Sequence, residues 1–219
     1  MSLFDELVDD AVFLSVESQQ HTQELWGRFD WNVDLAVPSL QFGSTPPTVF
    51  TAHLLGSEAP GPNTWLWGWA NQMVSERSIG LVKRIRDYGA AQGISELIRP
   101  ELPLKDDLPL RLTLAVESLT GLSTYFSGAV GGGSRVWVLL EGPQLELPAA
   151  TVLATVGAIT RGIAVTTVFD HRRALLRYAS RRSIPVSDSF ELTVSDGTVT
   201  IEFDWQGRIA SVNGSTSLS

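Results

Sequence analysis

At 219 residues the chain is long enough for one large domain or two small ones. Folding can bury roughly 70% of the surface that the unfolded chain exposes, so no disulfide or metal staple is required. The absence of cysteine excludes thiol catalysis, thiolate zinc or iron–sulfur ligation and a disulfide framework. With 16 Lys and Arg against 24 Asp and Glu, a net charge of −8, the chain is poorly suited to nucleic acid, whose non-specific binding rests on phosphate neutralisation.

The first residues, "MSLFDELVDDAVF", lack the basic and apolar regions of a secretory signal, and a cytoplasmic start is expected. From Leu3 to Trp26 no proline or glycine intervenes and Gly27 follows, which predicts one long helix with a moderately apolar face of Leu7, Val8, Ala11, Val12, Leu14 and Leu25. Next, "RFDWNVDLAV" alternates Phe29, Trp31, Val33 and Leu35 with Asp30, Asn32 and Asp34, the pattern of a half-buried strand. "SLQFGS", "TVFTAHLLGS" and "NTWLWGWAN" follow between breaker clusters, predicting an antiparallel meander.

Between Ser78 and Gly93 the apolar spacing becomes helical, through Ile79, Val82 and Ile85. A loop broken by Pro100 and Pro109 leads into a helix over "LRLTLAVESLTGL". "STYFSGAV" and "RVWVLLEG" flank "GGGS" as a hairpin, and Pro148 to Thr160 reads as a helix. The run to Phe169 is apolar, but Arg161 and two glycines argue against a membrane span, and the β-branched residues after Gly162 favour a strand or turn. "DHRRALLRYASRR" is a helix stopped by Pro185, and the strands "FELTV", "TVTIEFDW" and "RIASV" follow, with Asp196-Gly197 as the hairpin turn.

The expected class is therefore α+β, with antiparallel sheet and helices packed on one face. Residues 1–99 form a helix, meander and helix, and residues 100–219 a second α+β half, either separate or part of the same compact domain. "FDW" recurs at Phe29 and Phe203, each time in a strand after a helix, so two similar helix-plus-sheet halves are a second expectation.

Three features carry chemistry. Trp65, Trp67 and Trp69 alternate, so a strand would place them on one face, either as a ligand platform or as core. Three exposed indoles would make a very large apolar patch, which favours core. If that face were open, Asn63, Asn71 and His53 would complete a small-molecule cleft. Charge is also segregated: residues 1–27 hold six carboxylates and no Lys or Arg, whereas 161–182 hold six arginines against Asp170. Arg173, Arg177 and Arg181 share a helix face at four-residue spacing, either as an anion or partner surface or as compensation for the acidic helix, within the chain or across an oligomer. Finally, His21, His53 and His171 lack any metal-site spacing, the Gly128–Val136 run lacks a phosphate-loop ending, and neither a Gly-x-Ser-x-Gly nor a dinucleotide fingerprint occurs.

The order "LLGSEAPGPNTWLWGWAN" followed by a helix resembles the core segment of a family of uncharacterised, mainly actinobacterial proteins. The upstream strand with Trp31 and Asp34 is similar to that family's preceding segment, so the resemblance covers about the first 100 residues. It implies a shared fold unit and brings no activity, cofactor or catalytic residue. The resulting expectation is a non-catalytic cytoplasmic binding or protein-interaction module, without cofactor, metal or membrane, working through a protein partner or self-association. The alternative is a small-molecule-binding protein or hydrolase-like enzyme with an aromatic-lined cleft.

Overall fold

The computed structural model describes every residue except 44, 60, 218 and 219. Helix α1 spans Leu3–Trp26. Ser2 caps it: its hydroxyl accepts the Asp5 N–H at 3.2 Å, and the Asp5 carboxylate accepts the Ser2 N–H at 2.9 Å. Three helices surround α1, namely α4 (Leu108–Thr120), α5 (Val152–Val165) and α6 (His171–Arg181). The single apolar face expected from sequence is thus too narrow a description. Asp9, Ser15, Glu17 and Ser18 are buried along with Val8, Val12 and Phe13.

Ser18 donates to Ser123 across the core, and carboxylates of α1 meet partners from α6 and its flanks. Arg173 grips Asp10 with two guanidinium nitrogens at 2.6 and 2.8 Å and reaches Glu6 at 2.9 Å, while Arg177 lies 3.3 Å from Asp10. Asp9 accepts the backbone N–H groups of Phe169 and Asp170 at the entry to α6. The acidic and basic segments therefore neutralise each other inside the molecule.

The larger sheet has seven strands, all antiparallel: β1 (Trp31–Asp34), β2 (Ser39–Phe42), β3 (Thr48–Ala59), β4 (Thr64–Trp67), β5 (Glu101–Pro103), β6 (Tyr125–Gly131) and β7 (Ser134–Glu141). On one edge of β3 its first half pairs with β2 and its second half with β4, while β7 runs along the other edge. The register shifts between Leu54 and Gly56, where β3 changes partner, and such a bulge bends and twists a strand. The sheet curls until Trp31 of β1 meets Phe126 of β6, with ring centroids 4.7 Å apart. Gly128 permits this approach, since a Cβ there would come within 2.6 Å of the Trp31 ring.

Helix α2 (Glu76–Gln92) packs on β3 and ends at Gly93, whose φ of 69° is the left-handed conformation that glycine adopts without strain. The short α3 (Ser95–Ile98) follows, and β5 lies in the segment from Pro100 to Pro109 that was expected to be loop. A three-residue edge strand containing Pro103 is too short to leave an alternation signal. A second sheet of three strands, β8 (Glu191–Val194), β9 (Gly197–Phe203) and β10 (Ile209–Thr216), forms a meander with turns at Asp196 and Gln206-Gly207.

Helix α5 continues through Gly162 to Val165, where a strand or turn was expected. Its packing on α1, with Gly162 against Phe13, outweighs the β-branched preference of the last turn. Among the described residues no helix is long and apolar enough to cross a membrane. The class is α+β with antiparallel sheets. The division at 99/100 falls within one sheet, because β6 and β7 complete the strands of the first half.

Candidate functional site

The tryptophans separate on folding. Trp65 is 0% and Trp67 1% exposed, packed edge to face with centroids 5.6 Å apart, and the Trp67 indole N–H donates to the Glu96 carbonyl in α3 at 3.0 Å. Trp69 does not continue the ladder: the strand ends at Trp67, and Gly68–Ala70 form a 3-10 turn that leaves the Trp69 ring half-buried under the Arg86 guanidinium. Gly68 marks the departure, since a Cβ there would sit 2.8 Å from the Leu54 carbonyl oxygen.

The polar residues proposed alongside the ladder serve local structure. Asn63, at φ 56°, donates to the Leu104 carbonyl, and the Asn71 side chain accepts the Met73 N–H. His53 lies 3.0 Å from Glu141 across the β3–β7 pair. None of these six residues lines the cleft at the end of α6.

Of the three arginines at four-residue spacing, Arg173 and Arg177 are held by α1 carboxylates, whereas Arg181 forms no ion pair among the described residues. It donates to the Gly121 carbonyl and, with Arg182, lines a cleft of about 690 Å³. The cleft is also lined by residues 121–124, which follow α4, and by residues from Leu140 at the end of β7 to Leu147, among them Glu141 and Glu146. Arg182 is more committed: it lies 2.9 Å from Glu17 in an ion pair that is out of hydrogen-bond alignment, and it donates to the Pro148 carbonyl at 2.6 Å. Tyr178 donates to the same Glu17 oxygen at 3.0 Å. Burial raises the Glu17 carboxyl above its ordinary range despite these partners.

Near Arg181 lies Glu117 of α4, 1% exposed, with neither carboxylate oxygen hydrogen-bonded among the described residues. The Ser15 hydroxyl and the Arg181 charge favour its ionised form, but burial dominates and pushes its pKa up to about 8. Arg181 is correspondingly lowered by burial. At neutral pH Glu117 is therefore mostly uncharged, and the Arg181 cation is left to whatever enters the cleft. Sequence reasoning passed over Glu117 because "LAVESLT" reads as an ordinary amphipathic turn. Its position three and seven residues after Leu114 and Leu110, on the apolar stripe, is the signal that could have found it.

The chain belongs to a family of unknown function, DUF6882, which matches residues 5–143 and so reaches beyond the 100 residues that the sequence resemblance suggested. Neither a curated protein nor a solved structure matches it. The matched segment supplies α1, α4, the larger sheet and Glu117, while Arg181 and Arg182 come from the remainder of the chain.

Proposed function

We propose that this member of a family of unknown function is a non-catalytic, cytoplasmic bacterial binding protein that takes a small anionic ligand in the cleft at the end of α6. The observation that carries this reading is that Arg181, unlike Arg173 and Arg177, forms no ion pair among the described residues and lies on the wall of a 690 Å³ cleft, which it shares with Arg182, Glu141 and Glu146. A guanidinium fork in a recess recognises a carboxylate or phosphate group bidentately. Calorimetric titration with inorganic phosphate and with malonate should give a heat of binding that falls about tenfold or more in affinity in Arg181→Gln and persists in Arg177→Gln. Absence of binding by both anions, or equal binding by the Arg181 variant, would overturn it.

A second reading, a protein-interaction module acting through self-association, draws support from Trp205. This side chain is 90% exposed at the turn between β9 and β10, where an indole stabilises nothing within the chain. Light scattering should show an assembly larger than one chain that Trp205→Ser dissociates; a monomer at all concentrations would remove this reading.

A further inference from the structure

The cleft at the end of α6 carries acid as well as base. Among the described residues its charged lining is Arg181, Arg182, Glu141 and Glu146, which sum to zero. Two of these are engaged elsewhere: Arg182 lies 2.9 Å from Glu17, and Glu141 lies 3.0 Å from His53 on the paired strand β3. Arg181 and Glu146 form no ion pair among the described residues, so the cleft offers one cation and one anion to its contents. Arg181 reaches it half-buried from α6, and Glu146 stands exposed just past the 3-10 turn Pro143–Leu145. Leu122, Leu145 and Leu147, all half-buried, give the lining its accessible apolar surface.

We infer that the ligand of this cleft is a free α-amino acid with an apolar side chain, its carboxylate on Arg181, its ammonium on Glu146 and its side chain against the three leucines. That identity rests on the anion site proposed above and narrows what fills it. A guanidinium has only donors and a carboxylate only acceptors, the complement of the two ends of an amino acid. A phosphate or dicarboxylate satisfies Arg181 but brings like charge toward Glu141 and Glu146, whereas a zwitterion answers both signs. Ser123 adds a donor: its oxygen accepts the Ser18 hydroxyl at 2.9 Å, which leaves its own proton for the ligand carboxylate.

The leucines set the preference among amino acids. Each ligand methylene fully withdrawn from water strengthens binding by about fourfold, and an open cleft realises part of that, so leucine should bind on the order of tenfold tighter than alanine. A peptide C-terminus presents the same carboxylate and side chain without the ammonium, and the Glu146 carboxylate therefore favours the free amino acid over it.

The test is calorimetric titration of the full chain with L-leucine, L-alanine, 4-methylpentanoate, which is leucine without its amino group, and 3-methylbutylamine, which is leucine without its carboxylate. Leucine is expected to bind about tenfold or more tighter than each of the others. Glu146→Gln, at an exposed side chain, should bring leucine down to the level of 4-methylpentanoate, whose own binding is retained and reports a folded variant. Glu141→Gln should keep the preference for leucine, and Arg181→Gln should weaken leucine and 4-methylpentanoate alike. Leucine binding no tighter than 4-methylpentanoate, or a preference that survives in Glu146→Gln or disappears in Glu141→Gln, overturns the amino-acid assignment; binding of phosphate or malonate through Arg181 then still supports the anion site. Alanine binding as tightly as leucine overturns the apolar side chain. Leucine binding that is unchanged in Arg181→Gln, or no binding by leucine, phosphate or malonate, overturns the assignment and the anion site together.

Discussion

Replacing Trp67 by alanine is expected to destabilise the protein by roughly 3–5 kcal/mol, enough to lower its melting temperature by on the order of 10 °C. The indole is 1% exposed and sits against Trp65, which in turn packs on Trp137 with centroids 6.3 Å apart. A buried indole removes about 150–250 Å² from water, and truncation also leaves a cavity that the paired strands β3, β4 and β5 cannot close. The Glu96 carbonyl would lose its donor as well. Trp205→Ala, at a 90% exposed site, should stay within about 0.5 kcal/mol of wild type. Urea melts of the two variants decide the matter. A cost below about 1 kcal/mol for Trp67 would mean that the ladder is not core.

The elements that could be read from the sequence are those with strong local signals. Helix α1 runs where an uninterrupted stretch and Gly27 place it. The "GGGS" and Asp196-Gly197 turns locate both hairpins, and period-two alternation locates β2, β3 and β9. What local patterns could not supply were decisions made by tertiary contacts. The alternation of Trp65, Trp67 and Trp69 continues in sequence past the point where Gly68 turns the chain out of the sheet. The β-branched end of α5 stays helical against α1, and β5 exists only because β4 offers it an edge.

The charge layout was legible as complementarity but not as geometry. Six carboxylates near the start and six arginines near the end call for each other, yet only the docking of α6 on α1 determines which pairs form. Asp10 takes Arg173 and Arg177, Glu17 takes Arg182, and Arg181 rotates past the end of α1's acidic row toward the turn after α4. A row that is regular in sequence thus becomes two structural residues and one cation facing a cleft, and the difference depends on the distance of each from a carboxylate.

Glu117, near that cation, has no hydrogen-bonded partner among the described residues, and the consequence of its burial is a stability that falls as pH rises. Burial raises the folded-state pKa of Glu117 from 4.5 to about 8. Below the unfolded value both states hold the proton and the group imposes no penalty. Between the two values the unfolded chain releases its proton while the folded one retains it, so stability declines by about 1.36 kcal/mol per unit. Above the folded value both states are ionised and the loss levels off, at a ceiling of roughly 5 kcal/mol. Glu117→Gln keeps the shape and removes the titration. The Gln variant should therefore match wild type within about 1 kcal/mol near pH 4.5 and exceed it by several kcal/mol near pH 8. Raised carboxyls at Asp9 and Glu17 push the pH dependence of both proteins the same way, so the difference between the two isolates Glu117. Urea unfolding at the two pH values provides the measurement, and an advantage that is equal at both would show that Glu117 ionises in the folded state as readily as in the unfolded one.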